Sequence, residues 1–354
     1  MKTNESTPAE PLQASELKFT PEELSRSAAK YRREFVQIPI TGLKAALAYF
    51  QLRTGIQGSE TVGELSGSIE MAPYNAYRVD QGEIGITGRE LKTYLGSAVK
   101  RFDPNQVWGS IYGSRITQGE GLKNVPVTVQ IVSYLAAKIS KSLRLSLFDA
   151  VRNPAGNSTK DLFDGFDTIT AAEVTAGKIS EANGNLFRFT EAITSANCVD
   201  MLRTFLQAAD DELLGQGDGE VDPNNAVNLY VPRQIVYAYC EDYKSTTGNS
   251  PVYDKFNQVV VEGFPYVRLC PFAGKAKSNF LQLSTRNNML LGTDLTHNVE
   301  KMDIEKHHEF LLSFVATMVF GAQFESISKE ALMVGKLYEA SHLSDEPETP
   351  EPGK

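Results

Sequence analysis

The sequence is poor in the residues from which most catalytic and metal-binding sites are built. It contains 4 histidines, 3 cysteines and 1 tryptophan among 354 residues. Cys198, Cys240 and Cys270 form no CxxC pair, which favours buried, reduced thiols over a metal cluster or a disulfide framework. The sequence has no HExxH, GxSxG or Walker-type GK[ST] motif. We therefore predict no catalytic residue, no metal site and no cofactor.

Long apolar runs are also missing. No segment reaches the roughly 18 apolar residues that a membrane-spanning helix needs, and the N-terminus lacks the apolar core of a secretory signal. We expect a soluble protein with no membrane partner. The 35 basic and 44 acidic residues give a net charge of −9. A net negative charge argues against a protein whose main function is to bind nucleic acid, although it allows a local basic stripe.

Two segments resemble metal-ligand patterns only weakly. The first is residues 217–224, whose oxygen-bearing residues alternate as in a calcium loop. They are Asp218, Glu220, Asp222 and Asn224. We favour an acidic surface turn, because Pro223 stands where such a loop needs glycine. The second is His307-His308, which would point to opposite faces of a strand and could not both bind one ion. We interpret this pair as polar residues at a strand end.

The stretch from Asn279 to Gln323 has the highest density of apolar residues. It reads as three strand-like pieces, 279–295, 296–309 and 310–323, joined by polar turns. From Phe310 to Val319 the last piece is almost unbroken apolar, which is typical of a strand buried on both faces. We expect this stretch to form the layer on which the rest of the chain packs. It contains no obvious catalytic group, which indicates an architectural protein.

The N-terminal part reads as a polar arm followed by two short helices. Residues 1–19 are polar, and Thr20-Pro21-Glu22-Glu23 combines a cap, an N1 proline and a capping-box glutamate. A second helix is predicted from Thr41, with a stop at Thr54-Gly55.

From residue 56 to 124 glycines recur and large apolar residues are few. The strand-like runs Glu90–Tyr94, Ser97–Phe102 and Gln106–Tyr112 predict a long, hairpin-like excursion. Such an excursion cannot form a core by itself. We expect it to lie either on this chain or on another copy of it.

Val127 begins a row of apolar residues spaced by four that reaches Val151. The row predicts an amphipathic helix of about 25 residues, which Asn153-Pro154 would end. The opposite side carries a basic stripe, with Lys138, Lys141 and Arg144 and no acidic residue among them. This stripe is either a helix face that contacts solvent or a surface that attracts phosphate groups through non-specific positive charge.

The rest of the chain reads as an α+β module. We expect short strands and turns over 158–195, and helices over 196–214 and from Pro232. Strands are predicted at Val227–Val231, Val259–Val261 and Tyr266–Cys270. Residues 326–338 suggest an amphipathic end-piece, and the Pro/Glu-rich tail after it is expected to be disordered.

The order of these parts resembles the major capsid proteins of tailed phages, which have the Hong Kong 97-like shell fold. Two segments add to the resemblance, which covers residues 20–340. Thr285–Asp294 is similar to a stretch that precedes the last strands in this family, with Arg286-Asn287-Asn288 standing in for a Lys-Asn-Leu run. Residues 259–272 resemble the family's strand–Gly–x–Pro–strand segment.

The resemblance implies an α+β fold with an N-terminal arm, an extended loop, a peripheral domain with a long spine helix, and an axial domain. The arm with its short helices would be 1–55, the extended loop 56–122, the peripheral domain 123–177 together with 279–340, the axial domain 178–278, and a disordered acidic tail 341–354. The spine helix would be 126–152.

The resemblance further implies a structural, non-enzymatic subunit that self-assembles into an icosahedral head shell around phage DNA. Expected partners are further copies in pentamers and hexamers, portal and scaffolding or decoration proteins, and packaged double-stranded DNA. The DNA contact would be non-specific and would involve Lys138, Lys141 and Arg144. The protein would be assembled in the host bacterial cytoplasm and found in the virion.

The extended loop would supply contacts between subunits. The residues expected there are Lys92, Tyr94, Lys100, Phe102, Trp108 and Tyr112. Some family members cross-link a loop lysine to a neighbour's asparagine, but neither Lys92 nor Lys100 matches such a motif, so we predict no isopeptide bond. Two alternatives stay open: an encapsulin-like nanocompartment shell of the same fold, and an α+β enzyme or ligand-binding protein.

Overall fold

The computed structural model describes residues 48–67, 74, 84–102, 127–215, 227–254, 257–294, 301–308 and 311–338. Several predictions lie outside these ranges. They are the helix starting at Thr20, the start at Thr41, the strand-like run Gln106–Tyr112, the acidic loop 217–224 and the tail 341–354.

The described residues form thirteen strands and four α-helices. The strands are β1 (Gln51–Thr54), β2 (Ser59–Gly67), β3 (Ile84–Lys92), β4 (Tyr94–Phe102), β5 (Leu186–Arg188), β6 (Val227–Val231), β7 (Val260–Val261), β8 (Phe264–Pro271), β9 (Phe280–Thr285), β10 (Met289–Thr293), β11 (Lys301–His308), β12 (Leu311–Phe324) and β13 (Leu332–Lys336). The helices are α1 (Val127–Ser146), α2 (Phe166–Thr175), α3 (Cys198–Gln207) and α4 (Arg233–Thr247).

Strand β12 is the centre of a five-stranded sheet. It pairs antiparallel with β11 along its first half, with β10 along its last residues, and with β4 from Leu312 to Phe320. Strand β1 adds to β10 in parallel. The predicted strands in 296–309 and 310–323 are thus confirmed. Strand β4, which is part of the predicted excursion, belongs to this sheet, so the excursion lies at least partly on its own chain.

The prediction that the last piece is buried on both faces holds for only part of β12. Phe314, Phe320 and Phe324 point to one face and are buried, whereas the neighbouring Val315 is half-buried and Leu311 is 38% exposed. The reason is the pleat, because alternate side chains of a strand point to opposite faces of the sheet. On the other face, in the part of β12 beside β4, Val315 and Thr317 are half-buried, whereas Ser313 and Val319 are buried.

The expected single strand-like piece 279–295 is two strands in different sheets. A turn at Arg286–Asn288 separates β9 from β10. The buried Asn288 fixes this turn: its Nδ2 donates to Ser284 Oγ at 2.9 Å and to the Ala331 carbonyl at 3.1 Å, and its Oδ1 accepts from the amide of Ser326. These three hydrogen bonds satisfy the buried Asn288 side chain and hold the turn in place. A polar contact of this kind does not show in the periodicity of apolar residues.

The second sheet has six strands in the order β5-β13-β9-β6-β8-β7. Both of its faces are covered. Leu229 and Leu283 point to the core beneath α3 and α4, whereas Tyr230 points to the core shared with the first sheet. Residues 279–340 therefore contribute strands to both sheets, with β9 and β13 lying beside β6 and β5. The predicted division into peripheral and axial domains remains a prediction.

An aromatic cluster centred on Phe50 lies between the two sheets. The Phe50 ring is 5.5 Å from Phe166, 5.6 Å from Tyr230, 5.5 Å from Phe272 and 6.1 Å from Phe148. The sequence predicted a helix reaching Thr54, and this is wrong for residues 51–54, which form β1. Pairing with β10 and burial of the preceding phenylalanine outweigh the local helix pattern.

Helix α1 ends at Ser146, five residues before the predicted end at Val151. The carbonyls of Leu147, Phe148 and Ala150 accept hydrogen bonds from residues 165–167 instead of from a continuing helix. Gly165 permits this approach, since a Cβ there would overlap the Phe148 carbonyl. A long-range contact therefore ends the helix, rather than Asn153-Pro154.

Other expectations differ in detail. Residues 158–195 contain α2, which the sequence did not predict because its Thr, Ile and Val residues favour strands. Helix α3 is shorter than the predicted 196–214. The strand at Val227–Val231 and the helix after Pro232 are confirmed, and the end-piece 326–338 contains strand β13.

Candidate functional site

The hairpin of β2 and β3 projects from the first sheet and forms a separate two-stranded sheet. Its register runs from Ser59 opposite Lys92 to Gly67 opposite Ile84. Near its base, Val62 and Leu91 pack with Ile56 and Leu290 in a small buried cluster. An isolated two-stranded hairpin is marginally stable at best in water. This base cluster is therefore essential support for the hairpin from its own chain.

The hairpin meets the sheet at a tight corner around Thr93. The amide of Thr93 donates to the Gly58 carbonyl at 2.8 Å. Gly321 and Gly292 lie opposite each other in β12 and β10, directly beneath this corner. A Cβ on Gly321 would overlap the Lys92 carbonyl, and one on Gly292 would press on Thr93. Glycine inside a strand often marks such a close backbone approach.

Arg89 of β3 ties the hairpin to helix α2. The guanidinium is buried; its Nη2 is 2.7 Å from Glu173 Oε1 and 3.1 Å from Gln323 Oε1, and its Nε donates to the Phe324 carbonyl at 3.2 Å. These groups line a cleft of about 400 Å³ between the hairpin and the body of the protein. Sequence reasoning missed Arg89, because its partners lie 84 and 234 residues away along the chain.

The predicted inter-subunit residues occupy different environments. Lys92 is exposed, and its hydrogen bond with Glu90 raises the pKa of the ammonium group. Tyr94 is half-buried, with the Arg152 guanidinium 3.5 Å from its ring centroid. On β4, Lys100 is exposed and Phe102 is half-buried. Trp108 and Tyr112 lie outside the described residues, and the role of the whole set stays a prediction.

The basic stripe on α1 is an exposed surface. Lys138, Lys141 and Arg144 all face solvent, while Leu143 lies in the core. Lys138 Nζ lies 5.1 Å from the ring centroid of the exposed Tyr134. Within the described ranges, no carboxylate lies at ion-pair distance from these three cations. The helix thus presents net positive charge, but contact with DNA stays a prediction.

Lys275 is a buried charge that the sequence did not single out. Its Nζ is 2.7 Å from Asp167 Oδ1 and 4.4 Å from the centroid of the Phe148 ring. Burial lowers the pKa of the ammonium group, and the Asp167 carboxylate opposes that shift. Gln282 also donates to Asp167 at 2.7 Å. This network joins α2 to β9 inside the protein, so we assign it a structural role.

The remaining candidate groups give no chemical site. Across the ranges that the structure describes, no group of three His, Cys, Asp or Glu residues could hold a metal ion. The cysteines are free thiols, and burial raises the pKa of Cys198 to about 12. His307 and His308 end strand β11, as expected. No helix in the described ranges is long and apolar enough to span a membrane.

Comparison with solved structures reveals the same architecture in viral capsids. The chain superposes on a protein of the satellite phage P4 procapsid with a TM-score of 0.52 and 11% identity, covering 86% of this chain and 96% of that one. A capsid protein of cyanophage A-1(L) gives a TM-score of 0.50 at 14% identity, covering 83% and 92%. The SrpI encapsulin of Synechococcus elongatus gives 0.47 at 13% identity, covering 83% and 86%.

Neither the comparison with protein-family models nor the comparison with curated proteins gives a match. The structural likeness is nevertheless extensive, since it spans most of this chain and nearly all of the phage proteins. The chain therefore has an α+β fold of the Hong Kong 97-like capsid type.

Proposed function

We propose that the protein is the major capsid protein of a tailed phage or prophage, a structural subunit that assembles into an icosahedral shell around DNA. The observation that carries the proposal is the superposition on the P4 procapsid protein over 96% of that chain. A likeness that covers 86% of this chain is far larger than one common supersecondary unit.

The hairpin provides a physical reason for assembly. Each of its strands has nine residues, and near its base Val62 and Leu91 pack on their own chain. A neighbouring copy is the natural source of further contact, and repeated contacts between identical copies close into symmetric rings and shells. Pentamers and hexamers are the assemblies that such a shell requires.

The basic stripe of α1 fits the same function. Lys138, Lys141 and Arg144 are exposed cations on an otherwise acidic chain. Cations that neutralise phosphates give sequence-independent, salt-dependent attraction. We assign this face to the packaged double-stranded DNA. Portal and scaffolding or decoration proteins would be the other partners, with assembly in the host bacterial cytoplasm and the mature protein in the virion.

The test is the assembly state of the purified protein. Sizing chromatography and electron microscopy should show pentamers, hexamers or closed particles. A monomer that stays monomeric at high concentration and binds a small ligand would overturn the proposal. For particles isolated from the native host, nuclease-protected DNA inside supports a phage head, whereas an enclosed enzyme would instead identify a nanocompartment.

A further inference from the structure

Strand β4 forms an open edge of the five-stranded sheet. It pairs with β12 along nine residues, and no other described strand pairs with it. Residues 97–101 are exposed on both faces of the strand. An edge strand leaves every second residue's amide and carbonyl unpaired, so this edge offers a row of donors and acceptors to another strand.

The composition of this edge is unusual for one meant to face water. Proteins commonly protect such edges with charged residues, prolines or bulges. The segment Leu95-Gly96-Ser97-Ala98-Val99 has none of these, and Leu95 and Val99 are 61% and 59% exposed. Both lie on the same face of the sheet, opposite Val319 and Val315. Charge appears only at the end of the strand, as Lys100 and Arg101, so the edge suits a strand with complementary charge.

Strand β2 has the matching properties. It has nine residues, as β4 does, and β3 is its one partner among the described strands, so none of these strands occupies its other edge. Its sequence, SETVGELSG, holds two glutamates and no basic residue, and the Glu60 side chain is exposed. An acidic nine-residue edge therefore matches a basic one of equal length.

The β2 of the same chain does not lie beside β4. Ser59 pairs with Lys92, next to the corner where β4 begins, and Gly67 pairs with Ile84, eight residues farther back along β3. The hairpin thus runs away from the corner for about 27 Å, at roughly 3.3 to 3.4 Å per residue. The strand that reaches the β4 edge has to come from elsewhere.

We propose that the open edge of β4 binds the β2 strand of a second copy, antiparallel, and extends the five-stranded sheet by the neighbour's hairpin. The antiparallel direction brings the neighbour's Glu60 to the Lys100-Arg101 end. Backbone hydrogen bonds supply the attraction, as in other cases of strand addition, and the charges set the direction. The inference rests on the proposed assembly of identical copies.

Charge reversal and its repair test the contact. Lys100→Glu with Arg101→Glu should lower particle yield at least tenfold, because glutamates would then face glutamates across the joint. Glu60→Lys with Glu64→Lys should do the same, and all four changes in one chain should restore assembly. Arg233→Glu with Lys244→Glu makes the same change of charge at two exposed positions of α4 and should leave assembly intact. Circular dichroism and thermal melts would check that each variant is folded.

Cross-linking tests the register. When Glu60→Cys and Arg101→Cys subunits are mixed and oxidised, a reducible dimer should form that neither variant gives alone. If the wild type assembles while the reversed charges are harmless and no mixed dimer appears, the strand pairing is wrong and the capsid function stands. If the wild type forms no oligomer, the proposed function and this inference both fail.

Discussion

Phe50 lies at the centre of the aromatic cluster that joins the two sheets, although the sequence placed it in a short helix of an arm. Its side chain is fully buried and contacts the rings of Phe148, Phe166, Tyr230 and Phe272. Replacing Phe50 by Ala removes all four ring contacts and leaves a cavity that a rigid cluster cannot close. We predict a large loss of stability rather than the near-neutral effect expected in a mobile arm.

The magnitude follows from similar substitutions. Truncating a buried phenylalanine to alanine costs about 3–5 kcal/mol. Typical domains have a total stability of about 5–15 kcal/mol, so the change removes a large share of it. Using about 2–4 °C of Tm per kcal/mol for a large domain, the Tm of Phe50→Ala should fall by roughly 6–20 °C.

The assay is thermal unfolding of unassembled subunits, followed by circular dichroism at matched concentration. Tyr237→Ala is the control, since that ring is 66% exposed on α4 and its loss should change stability by about 0.5 kcal/mol or less. A loss of 1 kcal/mol lowers the Tm of a large domain by about 2 °C or more. If the two variants melted within about 2 °C of each other, Phe50 would not be a core residue, and the assignment of residues 48–54 to the fold would be wrong.

Two further substitutions test the first sheet. Phe314→Asp places an unpaired charge at a buried position of β12 and should prevent folding, so that the protein is insoluble or sensitive to protease. A soluble, assembled variant would contradict the central place of this strand. Gly321→Ala puts a methyl group against the Lys92 carbonyl. The variant should have a lower Tm and faster proteolysis within the hairpin. An unchanged digestion pattern would mean that the corner around Thr93 does not cross β12 at Gly321.

The sequence was most informative where one local pattern decides the structure. Strand β6 and helix α4 follow directly from a short β-branched run and from Pro232 with its helical periodicity. The capsid-type fold was predicted from the order of such parts, and the comparison with solved structures confirms it.

The sequence was least informative where distant residues decide. Helix α1 does not continue past Ser146 because residues 165–167 donate to the carbonyls of residues 147, 148 and 150. Strand β9 separates from β10 because Asn288 bonds to residues 326 and 331. In both cases the bonding partners lie outside the short stretch of sequence over which apolar periodicity can be recognised. The contact that anchors the hairpin also joins residues distant in sequence. Arg89 bonds to Glu173 of α2, a helix that the sequence did not predict because its residues favour strands.

The apolar density that made 310–323 conspicuous has a definite structural cause. Strand β12 is the only described strand that pairs with three others, and its inward row also covers the aromatic cluster, so it needs apolar side chains over an unusual length. Two of its partners, β10 and β11, are local in sequence, but β4 arrives from more than two hundred residues earlier and carries the hairpin with it. The hairpin is therefore attached to the core at two places: β4 pairs with β12, and Arg89 bonds to the Phe324 carbonyl of β12 and to Glu173 of α2.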